Sequence, residues 1–139
     1  MYDRPEIGEL VAAVREFLER RALPELEGHT AFHARVAANA LAIVERQLRL
    51  GPEAETAELL RLRALLGRDG SLAELNRELC ARIRSGEIGL ATPGLAEHLR
   101  ATTLAKLAVD QPRYSGHLRA LAARDGPSRP VVAGEARDE

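Results

Sequence analysis

From Ile7 onward the apolar positions recur every three or four residues and hardly ever every second one, the signature of helices rather than strands. Ile7, Leu10, Val11, Val14, Phe17 and Leu18 fall on one stripe of a first helix. Asp3, with Glu6 three residues on, has capping-box spacing, and Pro24 marks the far end. A second helix is predicted from Gly28 and Thr30 to about Leu50, closed by Gly51. A third opens at Pro52, where a missing N–H costs no bond, carries Leu59, Leu62, Leu65 and Leu66, and stops at Gly67. Ser71 and Glu74 form a further capping box ahead of Leu72, Leu75, Leu79 and Ile83, which repeat at three and four. After the loop "SGEIGLATPG", Thr92 and Pro93 are expected to open a fifth helix that ends at Asp110, ahead of Pro112. A short sixth is expected from about Tyr114 to Ala123.

Short connections favour antiparallel neighbours, so the pattern predicts an all-α, single-domain bundle of five to six helices over residues 1–123. The stretch "GPSRPVVAGEARDE" has no periodicity and is rich in Pro, Gly and charge, so residues 124–139 are expected to form a disordered tail. Between Val36 and Val44 the second helix is apolar nearly all round. That predicts a central buried helix at about residues 30–50, with Val36, Ala40, Ile43 and Val44 inaccessible.

Composition narrows the functions. At 139 residues the chain can bury a core without staples, and a net charge of -1 gives no basic footprint for nucleic acid or an anionic membrane surface. The longest near-apolar run, Val36 to Val44, is interrupted by Asn39 and falls far short of the roughly 20 residues a membrane span needs. The start, "MYDRPEIGEL", does not read as a signal peptide. Cys80 is the sole cysteine, so no internal disulfide forms and a reducing compartment is expected. The expectation is a soluble, cytoplasmic protein. Cys80 itself, between Leu79 and Ile83, reads as a small core residue.

Candidate chemistry is sparse. His29 and His33 are one turn apart, as two metal ligands can be, but no Glu follows the first as in the zinc-protease helix, and "AEHL" around His98 lacks the Glu-x-x-His of di-iron bundles. Two histidines exposed at a helix start are the plainer expectation. With no phosphate-binding Gly-rich loop and no nucleophile elbow, no catalytic residue, metal or cofactor is assigned. Arg35, Asn39, Ala42 and Arg46 line one narrow stripe of the second helix, and an amide buried there without partners would cost about 1–3 kcal/mol. On the fifth helix Leu95, Leu99, Thr102, Thr103, Lys106 and Asp110 share a face. If the two meet, Arg35, Asn39, Lys106 and Asp110 would surround a polar pocket for an anionic ligand. In the structural alternative Asp110 or Glu16 holds Arg35. Leu59, Leu60, Leu62, Leu65 and Leu66 exceed what one stripe needs, which predicts a homodimer.

The segments "MYDRP", "FHARVAANALAIVERQL", "LCARIRSGE" and "LRATTLAKLAVDQPRYSGH" resemble a bacterial family of small all-helical proteins of unknown function. The resemblance runs over most of residues 1–123. It implies a setting beside, or fused to, an aminoglycoside-phosphotransferase-like kinase and near acyl-CoA dehydrogenases, and it supplies no catalytic residue. Two functions therefore stand at this point. One is a non-catalytic accessory or interaction module, with such a kinase or dehydrogenase, or a second copy, as partner. The other is an anion-binding protein or enzyme built on Arg35, Asn39 and Lys106.

Overall fold

A computed structural model describes residues 5–125, and among them there are five α-helices and no strand. They are α1 (Ile7–Phe17), α2 (Gly28–Leu66), α3 (Leu72–Arg84), α4 (Leu95–Asp110) and α5 (Ser115–Asp125). The all-helical class and the helix count agree with the sequence pattern. Of the expected tail, residues 124 and 125 belong to the end of α5 and the rest lies outside the described residues, as does Asp3.

Glu6 caps α1 in place of Asp3, its backbone N–H donating to Glu9 Oε2 at 2.8 Å. The chain stays helical past Phe17 through a π-turn at Leu18–Ala22 and a 3-10 turn at Leu23–Glu25. Pro24 has no N–H to offer, and the preceding Leu23 N–H reaches back five residues to Leu18 O. Ser71 caps α3 as expected. Its hydroxyl accepts from Glu74 N–H, and its own N–H donates to Glu74 Oε2 at 2.9 Å, which holds that carboxylate below its ordinary pKa. Thr92 does not cap α4. Its hydroxyl accepts from Gly89 N–H inside the preceding loop, and α4 starts from Gly94, whose φ of 85° suits glycine.

The expected second and third helices are one helix. Gly51 and Pro52 lie inside α2, which runs 39 residues, about 58 Å at 1.5 Å per residue. Thr56 Oγ1 donates to Pro52 O at 2.8 Å just past the proline. α4 lies along this junction: its end is tied by Arg46 Nε, which donates to Val109 O at 2.5 Å, a cation at a helix C-terminus. A local stop signal is thus overridden by tertiary packing.

The core is at the far end of α2. Leu62, Leu66, Leu75, Leu79, Ile88 and Leu95 form one buried cluster, with Leu59, Leu65 and Leu72 against it. The leucines that suggested a dimer are therefore mostly used within the chain, and Leu60 alone among them is well exposed. Cys80 is exposed rather than part of the core, because Leu75 and Leu79 face inward and Cys80 points away from them.

The expected central buried helix is also corrected. α2 touches α1, α3 and α4, but between Gly28 and Leu50 only Ala38 is buried. Val36, Ala40, Ile43 and Val44 are all exposed. The reason is in the placement of small residues. Ala31, Ala34, Ala38 and Ala42 form the less accessible side, where α1 approaches closely, and the large residues stand opposite with nothing over them. The first half of α2 with α1 thus forms an arm of two helices, and α3 and α4 pack on the second half.

Candidate functional site

The arm meets the rest of the molecule at a polar cleft of about 510 Å³ between α1, α2 and the α4–α5 connection. Asn39, Arg46, Arg49, Asp110 and Arg113 line it beside Arg15. Arg15 is held by Glu45 and Glu19, each at 2.9 Å, and these bonds push its pKa further up. Arg46 is engaged by Val109 O. Arg49 and Arg113 make no ion pair or side-chain hydrogen bond among the described residues.

The structure brings two of the four sequence-derived ligand residues together, Asn39 and Asp110, in this cleft. Lys106 lines a separate cleft of about 290 Å³ with Gln47, Glu58 and Asn76. Arg35 is exposed and lies in neither, and Glu16 pairs with Arg20 at 2.8 Å instead of with Arg35. Asn39 is exposed, so its amide is not a buried group in need of partners.

Sequence reasoning missed a polar set inside the bundle. His98 is 3% exposed, on the same stripe of α4 as Leu95, Thr102 and Val109. Its Nδ1, the Thr102 hydroxyl and Arg61 Nε are buried and have no hydrogen-bond partner among the described residues. Glu58 accepts from Asn76 Nδ2 at 2.8 Å nearby. Burial lowers the His98 pKa, the Arg61 charge lowers it further, and Glu58 opposes both. The i, i+3, i+4 spacing with Leu95 and Thr102 was the sequence signal for this position.

The sign of its pH effect follows. His98 binds its proton less readily folded than unfolded, so its full contribution is present above the unfolded pKa of about 6.5 and stability falls as pH drops through and below that value. His98→Leu is expected to change stability at pH 7 by under about 1 kcal/mol, since it replaces an unpaired polar group with an apolar one of similar size. The variant should also lose less stability than the parent between neutral pH and pH 5. Urea titrations at both pH values check this, and a parallel loss in the two proteins would contradict it.

A second surface feature is apolar. Phe32 (56% exposed), Val36 (47%), Ile43, Val44 and Leu48 follow one another along the outer side of α2. Ile7, Leu10, Val14 and Phe17 are exposed on α1, and Ile7 and Leu10 share with Leu48 a trough of about 940 Å³. Counted at about 100° per residue, this outer side is the one that Gly51, Ala54, Leu62 and Leu65 occupy further on, where α3 and α4 lie over it. The large apolar residues of α2 therefore keep to one side, covered from Gly51 onward and bare before it. The polar members of the bare part are His29, His33 and Gln47. The two imidazoles meet Nε2 to Nε2 at 3.1 Å, both exposed, and no group of three or more His, Cys, Asp or Glu that could hold a metal occurs among the described residues.

A family model described as a domain of unknown function (DUF6285) matches residues 24–114. The chain belongs to this family. The matched DUF6285 segment holds α2, α3 and α4 whole, and with them the cleft-lining Asn39 and Asp110, the buried His98 and the bare side of α2. No curated protein and no solved structure matches the chain. No helix among the described residues is long and apolar enough to cross a membrane.

Proposed function

We propose that this DUF6285 chain is a non-catalytic interaction module that works through the bare apolar side of its two-helix arm. The observation that carries the proposal is the run Phe32, Val36, Ile43, Val44 and Leu48, joined at one end to Ile7 and Leu10. Solitary exposed apolar residues need no explanation, but a continuous patch beyond a few hundred Å² marks a docking surface. The setting is a bacterial cytoplasm, in keeping with a lone, exposed Cys80. The resemblance makes a phosphotransferase-like kinase or an acyl-CoA dehydrogenase the heterologous partner class to test. A photo-crosslinking amino acid placed at Val36 in the native host is expected to give a discrete adduct, with none from the same group at Arg63. No adduct from any position on the arm would end this proposal.

A second function rests on the cleft. Arg49 and Arg113, free of carboxylate partners among the described residues, border it with Asn39 and Asp110, and a planar guanidinium is suited to carboxylate or phosphate. Sulfate or phosphate should then raise the melting temperature of the parent and not of Arg49→Ala. Equal shifts in both proteins would dismiss the cleft.

A further inference from the structure

A further cleft, of about 550 Å³, runs between α2, α4 and α5. Its walls are built from small apolar residues: Ala54 and Ala57 on α2, Ala101 and Ala105 on α4, with Leu104 and Leu121 beside them. On each helix these positions recur at three and four and so share one side. Methyl groups stand where larger side chains would close the space, and a narrow slot is left. From Leu50 to Arg61 it extends about 16 Å along α2, at about 1.5 Å per residue. An apolar cavity of this size with a few placed polar groups has the make-up of a small-molecule site.

Three residues on it are polar, Glu53, Arg61 and His117. His117, in the first turn of α5, is 5% exposed, and its Nδ1 lies 3.1 Å from Pro112 O. A carbonyl only accepts, so in the neutral ring Nδ1 carries the hydrogen. Nε2 is left as an acceptor with no partner among the described residues. Arg61 is in no ion pair among these residues, and its buried Nε has no hydrogen-bond partner. A buried donor without an acceptor is costly, and an acceptor brought by a ligand would meet that need. Neither Glu58, one turn before it, nor Glu97, with which it shares a small neighbouring cleft, pairs with it.

The two groups sit towards opposite ends. Pro112, to which His117 is tied, follows the end of α4, and that end is bound to Arg46. Arg61 lies instead by Gly94, at the start of α4. One guanidinium with Glu53, Glu58 and Glu97 in its surroundings suits a single negative charge rather than a dianion.

We infer that this cleft binds a slender amphiphilic carboxylate: Arg61 takes its anionic head, the alanine walls take an unbranched hydrocarbon body, and His117 Nε2 accepts a hydrogen bond from a hydroxyl towards the other end. Neither the arm nor the cleft beside α1 takes part.

Calorimetric titration of the full chain with dodecanoate, and with dodecanoate hydroxylated at its far end, both below the micelle concentration, tests this. The parent is expected to take up one equivalent of either acid and to hold the hydroxylated one more tightly. Arg61→Gln should weaken both by about tenfold or more, through loss of a charge-assisted contact. His117→Asn keeps a donor near Pro112 O and removes Nε2, so it should bind the two acids alike. Ala57→Leu fills the slot and should abolish uptake with the helical circular dichroism retained. If that variant does not fold, the two polar variants decide. Arg49→Ala, in the cleft beside α1, should bind as the parent does. No uptake by the parent overturns the inference, as does undiminished uptake by Arg61→Gln or by folded Ala57→Leu. A preference for the hydroxylated acid that is absent from the parent or survives in His117→Asn overturns it too. So does loss of binding in Arg49→Ala, which would move the anion to the other cleft, or acetate binding as tightly as dodecanoate, which would leave an ion site only.

Discussion

Leu62→Ala is expected to lower the unfolding free energy by about 3–4 kcal/mol, within the range for a leucine removed from a packed core. Leu62 is 0% exposed and belongs to the cluster formed with Leu66, Leu75, Leu79, Ile88 and Leu95. Three helices and the loop residue Ile88 converge there, so the lost methyls leave a void that no single neighbour can fill without pulling its helix off another. In a domain of this size the melting temperature should fall by about 10 °C or more. The control is two residues away. Leu60 is 60% exposed, and Leu60→Ala should stay within about 0.5 kcal/mol of the parent. Chemical denaturation of the two variants checks the contrast. Equal losses would mean that the core is elsewhere.

Pro52→Ala is expected to stabilise the protein by about 1–2 kcal/mol. A proline inside a helix removes one backbone bond and crowds the preceding turn, at a cost of ~3 kcal/mol. Pro52 lies within α2, exposed, and the carbonyl of Leu48 loses its regular donor there. Alanine restores that donor with no new contact to accommodate. Part of the gain is offset because alanine leaves the unfolded chain freer, by about 0.4–1 kcal/mol. The same titration reads the result. A destabilised Pro52→Ala would show that α2 is bent or broken at this point and that the sequence signal for two helices was right.

That signal shows where sequence reasoning stops. Gly51–Pro52 is locally a stop followed by a start, and in isolation it would end a helix. What keeps the helix going is α4, which runs along the junction and is tied back by Arg46 to Val109 O, a contact between residues 63 apart in the chain. No local window contains it. By contrast, the Ser71–Glu74 box, the stop at Gly67 and the end of α4 at Asp110 were legible, because their causes are confined to one turn of chain.

The candidate site was legible in part for a related reason. Asn39 and Asp110 were paired by assuming that helices two and five meet, and they do meet at that end. Arg35 and Lys106 needed the helix rotations as well, which depend on the small-residue side of α2 seating α1. The all-round apolarity of Val36 to Val44 was seen but given the wrong cause. It reflects two separate demands, alanines for α1 on one side and large residues on the other, rather than burial on every side. His98 was weighed only as a di-iron ligand and set aside for want of a Glu-x-x-His, although its spacing with Leu95 and Thr102 places it on the buried stripe of α4.

The central claim is that the bare side of the arm, and not the α3–α4 end, is where this protein meets its partner. Amide hydrogen exchange with and without the partner captured at Val36 tests it most directly. Binding is expected to slow exchange in residues 7–17 and 28–48 while leaving 72–84 and 95–110 unchanged. Protection that instead appears on α3 and α4, with the arm unaffected, would contradict the account.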